Sequence, residues 1–196
     1  WDGKYYKFDP ITVMPRPVTK PMPQLMMAAL IPEAIYASVK RGFHIQTTPL
    51  DATLEKMKAQ IGAFHRGKAE LGEQGKHLRL ALSRVCLLAK DDADVKRKTE
   101  FAYEYYGRFN NVFTGPGIVE NGIIKSLPQK QTIEELSQNL IICTASEMVD
   151  RISQYAELGI DDFIMNVNIG ETHQESLEAM ERFASEVMPH IPAAKK

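Results

Sequence analysis

Short apolar runs that favour β-strands alternate with amphipathic segments that favour helices along most of this chain. The strand-like runs occupy residues 24–29, 43–47, 78–89 and 163–167. In the helical segment after the second run, apolar side chains recur every three or four residues, at Leu54, Met57, Ile61 and Phe64. Four successive strand–helix units predict an α/β protein with parallel strands.

Two helices near the end of the chain have recognisable boundaries. The pattern Thr-Ala-Ser-Glu at residues 144–147 is a capping box and predicts a helix that begins there. A final helix is predicted from about Glu171 to Met188. Its spacing predicts a buried side formed by Leu177, Met180, Ala184 and Val187.

The number of units limits the possible architectures. Because parallel strands need both faces covered, four units form either a small open doubly wound sheet or one half of an eight-stranded barrel. A complete (β/α)8 barrel takes about 250 residues, more than the 196 present. The sequence contains neither GxGxxG nor GxxxxGK[ST], the glycine loops that mark nucleotide-binding open sheets. We therefore predict half of a TIM-type (β/α)8 barrel, with about four parallel strands and flanking helices.

The first 23 residues differ from the remainder. They contain five of the eleven prolines, and each proline disfavours helix in the residue before it. We predict an extended proline-rich arm over residues 1–23 that needs a body to lie on, and a single domain of four βα units over residues 24–196. Because the chain begins at Trp1 with residues typical of mid-domain sequence, we expect a fragment of a longer protein.

Composition argues against several classes of protein. A net charge of −1 provides no broad attraction for nucleic acid or an anionic membrane. The two cysteines, Cys86 and Cys143, form no CxxC pair, which favours two buried thiols in the cytoplasm. No apolar stretch approaches the roughly 20 residues of a membrane span, and no HxxxH or HExxH pair indicates a zinc hydrolase.

Several segments resemble the bacterial luciferase-like monooxygenases, in the same order along the chain. They are GKYYKF at 3–8, VMPRPV at 13–18, KPMP at 20–23, MMAALIPE at 26–33, RVCLLA at 84–89, SQYAELGIDDF at 153–163 and FASEVMP at 183–189. The resemblance covers nearly the whole chain and implies the C-terminal half of the barrel, strands five to eight.

The resemblance implies a function for the parent protein. Members of this family use reduced FMN, supplied by a separate flavin reductase, and dioxygen to oxidise a small apolar organic substrate. The family's N-terminal half contributes much of the flavin pocket and the catalytic polar residues, so we expect this chain to be inactive by itself and assign it no catalytic residue. Two alternatives stay open: a deazaflavin-dependent oxidoreductase of the same superfamily, and a non-catalytic flavin-binding or structural half-barrel.

The first candidate site is the segment Ala29, Leu30 and Ile31, which precedes Pro32. Ligands of barrels bind at the carboxyl ends of the strands, and N–H groups at a helix N-terminus bind phosphate. In the family this loop holds the FMN phosphate, in many members through Ser or Thr. Only backbone donors are available here, and Glu33 would repel a phosphate. The alternative is an ordinary tight turn between strand and helix.

Other polar residues fall on the strands. His44 and Gln46, with Thr47 and Thr48, are candidates for contact with the flavin or substrate, or simply bond neighbouring backbone groups. Arg84 interrupts an apolar strand, so its guanidinium either meets an anion or carboxylate in the barrel lumen or faces solvent.

Two further features bear on the last strand and on assembly. Asn166 and Asn168, with Gly170, occupy the end of this strand and either face a ligand or form a turn. Because a half-barrel exposes strand edges and an apolar lumen face, we expect a homo-oligomer in which two copies cover each other.

Overall fold

A computed structural model describes residues 1–20, 22–50 and 53–191. Pro21 of the predicted arm, and residues 51, 52 and 192–196 of the predicted domain, lie outside the described residues.

The strands are β1 Met26–Ala28, β2 His44–Thr47, β3 Leu80–Leu88, β4 Val119–Glu120, β5 Ile123–Ile124, β6 Ile141–Cys143 and β7 Asp162–Asn166. The α-helices are α1 Pro32–Lys40, α2 Leu54–Leu71, α3 Asp92–Phe113, α4 Ile133–Asn139, α5 Ala145–Ala156 and α6 His173–Arg182. Short 3-10 turns cover Gly72–Gly75 and Met188–His190, and a π-helical turn covers Phe183–Val187.

The main sheet is built around β3, the longest strand. β1 pairs with β2, and β2 pairs with the start of β3, with Ile45 opposite Leu80. β7 pairs with β3 from Ala81 to Val85, and β6 pairs with its last three residues. All these pairings are parallel. The predicted α/β class with parallel strands is therefore confirmed.

The sheet has five parallel strands, one more than the sequence analysis predicted. The additional strand is β6, which has only three residues, Ile-Ile-Cys, all buried. A run this short carries no period by which to recognise a strand, so β6 becomes evident only from its pairing with β3. Helix α5 does begin after Thr144, but the Thr144 side chain makes no capping hydrogen bond.

One face of the sheet is covered by helices. Side chains of β3 alternate between the two faces, and Leu80, Leu82, Cys86 and Leu88 point toward the larger core. Helices α1, α2 and α5 supply the other side of that core, including the fully buried Phe64. The apolar stripe expected on α2 is therefore confirmed at Met57, Ile61 and Phe64, whereas Leu54, the first residue of the helix, is exposed.

The opposite face is covered only in part. Toward the carboxyl end of β3, Val85 and Leu87 pack against α3 and α4 in a second core. Over β1, Gln46 of β2 and Ile164 of β7 this face is exposed. Met26 is 50% exposed, and Ile164, which pairs with Ser83 on this side, is 37% exposed. We call this region the open face.

The final helical segment covers nearly the predicted residues, since α6 continues into the π-helical and 3-10 turns, but it is less buried than predicted. α6 ends at Arg182, and none of its residues is buried. The prediction that Leu177, Met180 and Ala184 face the core is wrong, since all three are exposed; only Val187 is buried. Ion pairs hold α6 instead, from Lys90 to Glu178 and from Arg97 to Glu175.

Residues 1–20, 22 and 23 of the proline-rich arm contain no helix, only bends, irregular backbone and one isolated bridge. A bridge and an ion pair join Asp2 to Lys7. Its apolar side chains stay largely exposed, up to 96% at Val18. No helix in the described ranges is long and apolar enough to cross a membrane.

Candidate functional site

The carboxyl ends of β1 and β2 meet at one edge of the sheet. The Ala29 N–H donates to the Gln46 carbonyl at 3.1 Å, which ties the exit of β1 to β2. Ala29 is buried in the larger core, whereas Leu30 and Ile31 are exposed. The predicted loop therefore presents its backbone, together with two exposed apolar side chains, at the end of a parallel sheet where barrel ligands bind.

The start of α1 leaves backbone donors free for an anion. Ile31 is the N-cap, and its side chain cannot accept a hydrogen bond. Pro32 carries no N–H, so the first N–H groups of the helix belong to Glu33 and Ala34. The positive end of the helix dipole adds to their attraction for a negative group. Glu33 is exposed in this first turn and opposes that attraction.

Gln60 connects this loop to the next one, and the sequence analysis missed it. Its side chain lies in the helix layer, and Nε2 donates to the Leu30 carbonyl at 2.8 Å and to the Thr48 carbonyl at 3.0 Å. A signal was available, because Gln60 follows Met57 by three residues and precedes Phe64 by four. It therefore occupies a position on the apolar stripe, where burial of a polar side chain is unfavourable unless hydrogen bonds compensate for the loss of water.

His44 and Gln46 lie toward opposite ends of strand β2. Gln46 pairs with Ala28 and is exposed on the open face, beside the loop at Ala29. His44 is the first residue of β2, so the strand direction places it at the amino end. There it is buried, its Nδ1 accepts the Arg79 N–H at 3.0 Å, and its ring lies edge-on to His77.

The environment of His44 favours its neutral form. Burial lowers the pKa of the imidazole, and the nearby positive charges of His77 and Arg79 lower it further. A neutral ring that accepts a backbone N–H stabilises the amino end of the sheet. This placement favours a structural role for His44 over the predicted contact with a cofactor, because barrel ligands bind at the opposite ends of the strands.

Arg84 is neither in an open lumen nor facing solvent. Its side chain is 3% exposed, and a guanidinium nitrogen donates to the Asn139 carbonyl at the end of α4. It also lines a cavity of about 140 Å³ at the carboxyl half of the sheet. The cavity is also lined by Thr48, Ser83, Asn166, Tyr105 and Phe109.

Aromatic residues of α3 form one wall of this cavity. Tyr105 and Tyr106 meet edge to face with ring centroids 5.4 Å apart, and Phe109 packs beside them. Tyr106 is buried in the second core, and the half-buried Tyr105 packs against that core. All three rings also line the small cavity, whose polar side chains are the Arg84 guanidinium, the Asn166 amide and the Thr48 and Ser83 hydroxyls.

Asn166, the last residue of β7, and Asn168, two residues later, have different roles. Asn166 lines the cavity. The Asn168 side chain donates to the Glu171 carbonyl at 3.0 Å and accepts the Gly170 N–H at 2.8 Å, so it forms the turn that leads into α6. Within residues 1–20, 22–50 and 53–191, no group of three or more His, Cys, Asp or Glu side chains is placed to hold a metal ion.

Comparison with known proteins identifies similar sequences and folds. The sequence profile of the luciferase-like monooxygenases matches residues 1–162. The oxygenase component of a flavin-dependent trigonelline monooxygenase from Acinetobacter baylyi is 24% identical over 201 residues, covering 99% of this chain and 56% of that protein. The chain thus spans about half the length of the curated relatives it matches.

Two solved structures illustrate the shared fold. An F420-dependent secondary alcohol dehydrogenase, in complex with an F420-acetone adduct, is similar with a TM-score of 0.66 and 17% identity, over 98% of this chain and 56% of that one. The oxygenating constituent of 3,6-diketocamphane monooxygenase from Pseudomonas putida, in complex with FMN, has a TM-score of 0.60 and 17% identity, over 89% and 50%.

These similarities confirm the predicted partial TIM-type barrel, since both structures extend over about twice the matched length. The family profile covers most of the chain, from the proline-rich arm through to β7. This chain therefore belongs to the luciferase-like monooxygenase family.

Proposed function

We propose that this chain supplies the phosphate loop and part of the substrate cavity of an FMN-dependent monooxygenase. The observation that carries the proposal is the uncapped start of α1 at the carboxyl edge of the sheet. Backbone N–H groups in such a position bind phosphate without any cationic side chain.

The residues of the chain have distinct roles in this proposal. The N–H groups of Glu33 and Ala34 hold the phosphate, and Gln46 offers an exposed amide beside the same loop. The cavity lined by Arg84, Asn166 and Tyr105 receives part of a small organic substrate. When bound, reduced FMN supplies the electrons with which dioxygen oxidises that substrate. The chain holds and orients these groups, and we expect no turnover from it alone.

The source of reduced flavin follows from a relative. The Acinetobacter baylyi protein is the oxygenase component of its enzyme. We therefore propose a separate flavin reductase as the partner of the parent protein. The cytoplasm, where such reductases and reduced thiols occur together, remains the predicted location.

Phosphate recognition predicts a difference between two flavins. We expect FMN to bind at least about tenfold more tightly than riboflavin, because riboflavin lacks the phosphate that the α1 donors would hold. Quenching of flavin fluorescence during titration of each compound measures both affinities. The E33Q variant removes the opposing charge, so it should bind FMN several-fold more tightly and leave riboflavin unchanged.

Equal affinities for FMN and riboflavin would overturn the phosphate site. A deazaflavin is the second candidate, because a deazaflavin-dependent dehydrogenase shares the fold. The same titration with that cofactor separates the two, since preferential binding of the deazaflavin would replace FMN in the proposal.

The open face supports a second proposal, a homodimer in which two copies cover this face. Met26 and Ile164 expose apolar side chains there, and a parallel sheet is stable when both faces are covered. We expect light scattering to give twice the chain mass at micromolar concentration. I164K should yield the monomer, whereas I123K, on the exposed β4–β5 hairpin, should not. A wild-type chain that scatters as a monomer would contradict the dimer.

A further inference from the structure

Gln60 is a fully buried polar side chain in the helix layer. Its relative exposure is 0%, and its neighbours on the same side of α2 are Met57, Ile61 and Phe64. A carboxamide in such surroundings is unfavourable unless its hydrogen bonds compensate for its removal from water. The hydrogen-bond partners of Gln60 therefore indicate what this buried carboxamide does in the structure.

Both hydrogen bonds of Gln60 go to loops and not to its own helix. Its Nε2 has two N–H donors, one for the Leu30 carbonyl after β1 and one for the Thr48 carbonyl after β2. The Oε1 atom is buried and has no partner among the described residues. The Gln60 carboxamide thus uses both N–H donors and leaves its acceptor unsatisfied. This arrangement holds the two carbonyls at a fixed separation.

The two carbonyls belong to the segments on either side of the candidate ligand edge. Leu30 precedes the N-cap of α1 by one residue, so fixing its carbonyl fixes the peptide planes that lead to the Glu33 and Ala34 N–H groups. Thr48 lines the cavity shared with Arg84 and Asn166. Gln60 thus links the proposed phosphate donors to the proposed substrate cavity through two hydrogen bonds.

We propose that Gln60 is a positioning residue that sets the separation of the loops after β1 and β2 and thereby aims the α1 donors at a flavin phosphate. The proposal rests on the proposed FMN site. Gln60 itself touches no ligand; it acts from beneath through the Leu30 and Thr48 carbonyls.

The test compares FMN affinity and stability in matched variants of the full chain. Q60M keeps the length of the side chain but has no donor, and we expect its Kd for FMN to rise about tenfold while its Kd for riboflavin changes much less. I61V removes one methylene from the next buried residue and leaves both hydrogen bonds of Gln60 to the loops in place. It should lose stability and keep its FMN affinity. A Q60M variant that binds FMN as tightly as the wild type would overturn the proposal.

The Q60E variant adds a measurement, the pH dependence of its Kd for FMN, that a loss of packing does not affect. In Q60E a protonated carboxyl group has one O–H donor and can hold one carbonyl, whereas the ionised form has none. We expect the ratio of the Kd of Q60E to that of the wild type to fall as the pH decreases from 8 to 5.5, because the ratio cancels the titration of FMN itself. For Q60M the ratio should stay constant. A constant ratio for Q60E would count against the proposal.

Failure of the FMN proposal is distinguishable from failure of this one. If the wild type binds no FMN, amide hydrogen exchange at Ala29 and Ile35 still reports on the loop, since their N–H groups donate to Gln46 and Ile31 carbonyls. Faster exchange in Q60M than in I61V would retain Gln60 as the residue that positions the loop. Equal exchange would overturn that role as well.

Discussion

Replacing Asp94 by alanine should lower the free energy of unfolding by about 2 kcal/mol, the cost of removing hydrogen bonds to a charged group. Asp94 accepts the Lys90 N–H at 3.0 Å and the Arg97 guanidinium at 2.8 Å. It also lies 3.7 Å from the buried Lys98 ammonium, which donates to the Leu88 carbonyl at the end of β3. Without Asp94, the Lys98 charge stays buried with less compensation. Denaturant unfolding followed by circular dichroism measures the effect.

An exposed ion pair provides the control. Glu120 pairs with Lys125 at 2.7 Å on the β4–β5 hairpin, where both side chains are about half exposed. E120A should change stability by less than about 0.5 kcal/mol. If D94A and E120A have equal stabilities, the charged cluster between β3, α3 and α6 does not stabilise the fold.

The same carboxylate predicts a pH dependence. Burial alone would raise the pKa of Asp94, but the Lys90 N–H, the Arg97 guanidinium and the Lys98 charge outweigh it, so the pKa is lowered. A group whose pKa is lowered by folding stabilises the protein above its unfolded pKa of about 4 and loses that contribution as the pH falls through its folded value. The stability difference between the wild type and D94N should therefore shrink below about pH 4.

Both cysteines should resist alkylation in the folded chain. Burial raises the pKa of the Cys86 thiol to about 12 and that of Cys143 to about 11. At pH 8 the thiolate fraction of Cys86 then lies about a thousandfold below that of an ordinary thiol, and the thiolate is the form that reacts. Mass spectrometry after timed exposure to iodoacetamide measures the rate at each cysteine.

Labelling in guanidinium chloride provides the comparison. There both thiols should react at the rate of a free cysteine, because unfolding exposes them. Cys86 lies on β3 and Cys143 on β6, opposite Leu88. Rapid labelling of either residue under native conditions would indicate that the β3–β6 pairing opens readily.

The strand and helix pattern of the sequence was sufficient to predict the architecture. Runs of buried apolar residues such as 78–89 and the stripe through Met57, Ile61 and Phe64 reflect local periodicity, which sequence alone records. β6 was not predictable in this way, because three buried residues have no period. The exposure of Leu177 and Met180 was also not predictable, since an apolar helix face does not specify whether another element reaches it.

The same difference between local sequence patterns and long-range packing applies to the candidate site. The loop at Ala29–Ile31 followed from Pro32 and the strand before it, which are neighbours in sequence. The position of His44 in the second strand was predicted, but its burial and its hydrogen bond with Arg79, 35 residues away, were not, because both depend on how distant segments pack. Gln60 was missed because its partners Leu30 and Thr48 are 30 and 12 residues away.

By itself the sequence determined the α/β class, the parallel strands, the helix that begins at Pro32 and the family resemblance. Each depends on neighbouring residues or on a pattern repeated along the chain. Only the tertiary structure decided that Arg84 is buried against the Asn139 carbonyl, that Gln60 spans two loops and that one sheet face stays open. These features arise where segments distant in sequence pack together, and hydrogen bonds between such segments form only once the chain has folded.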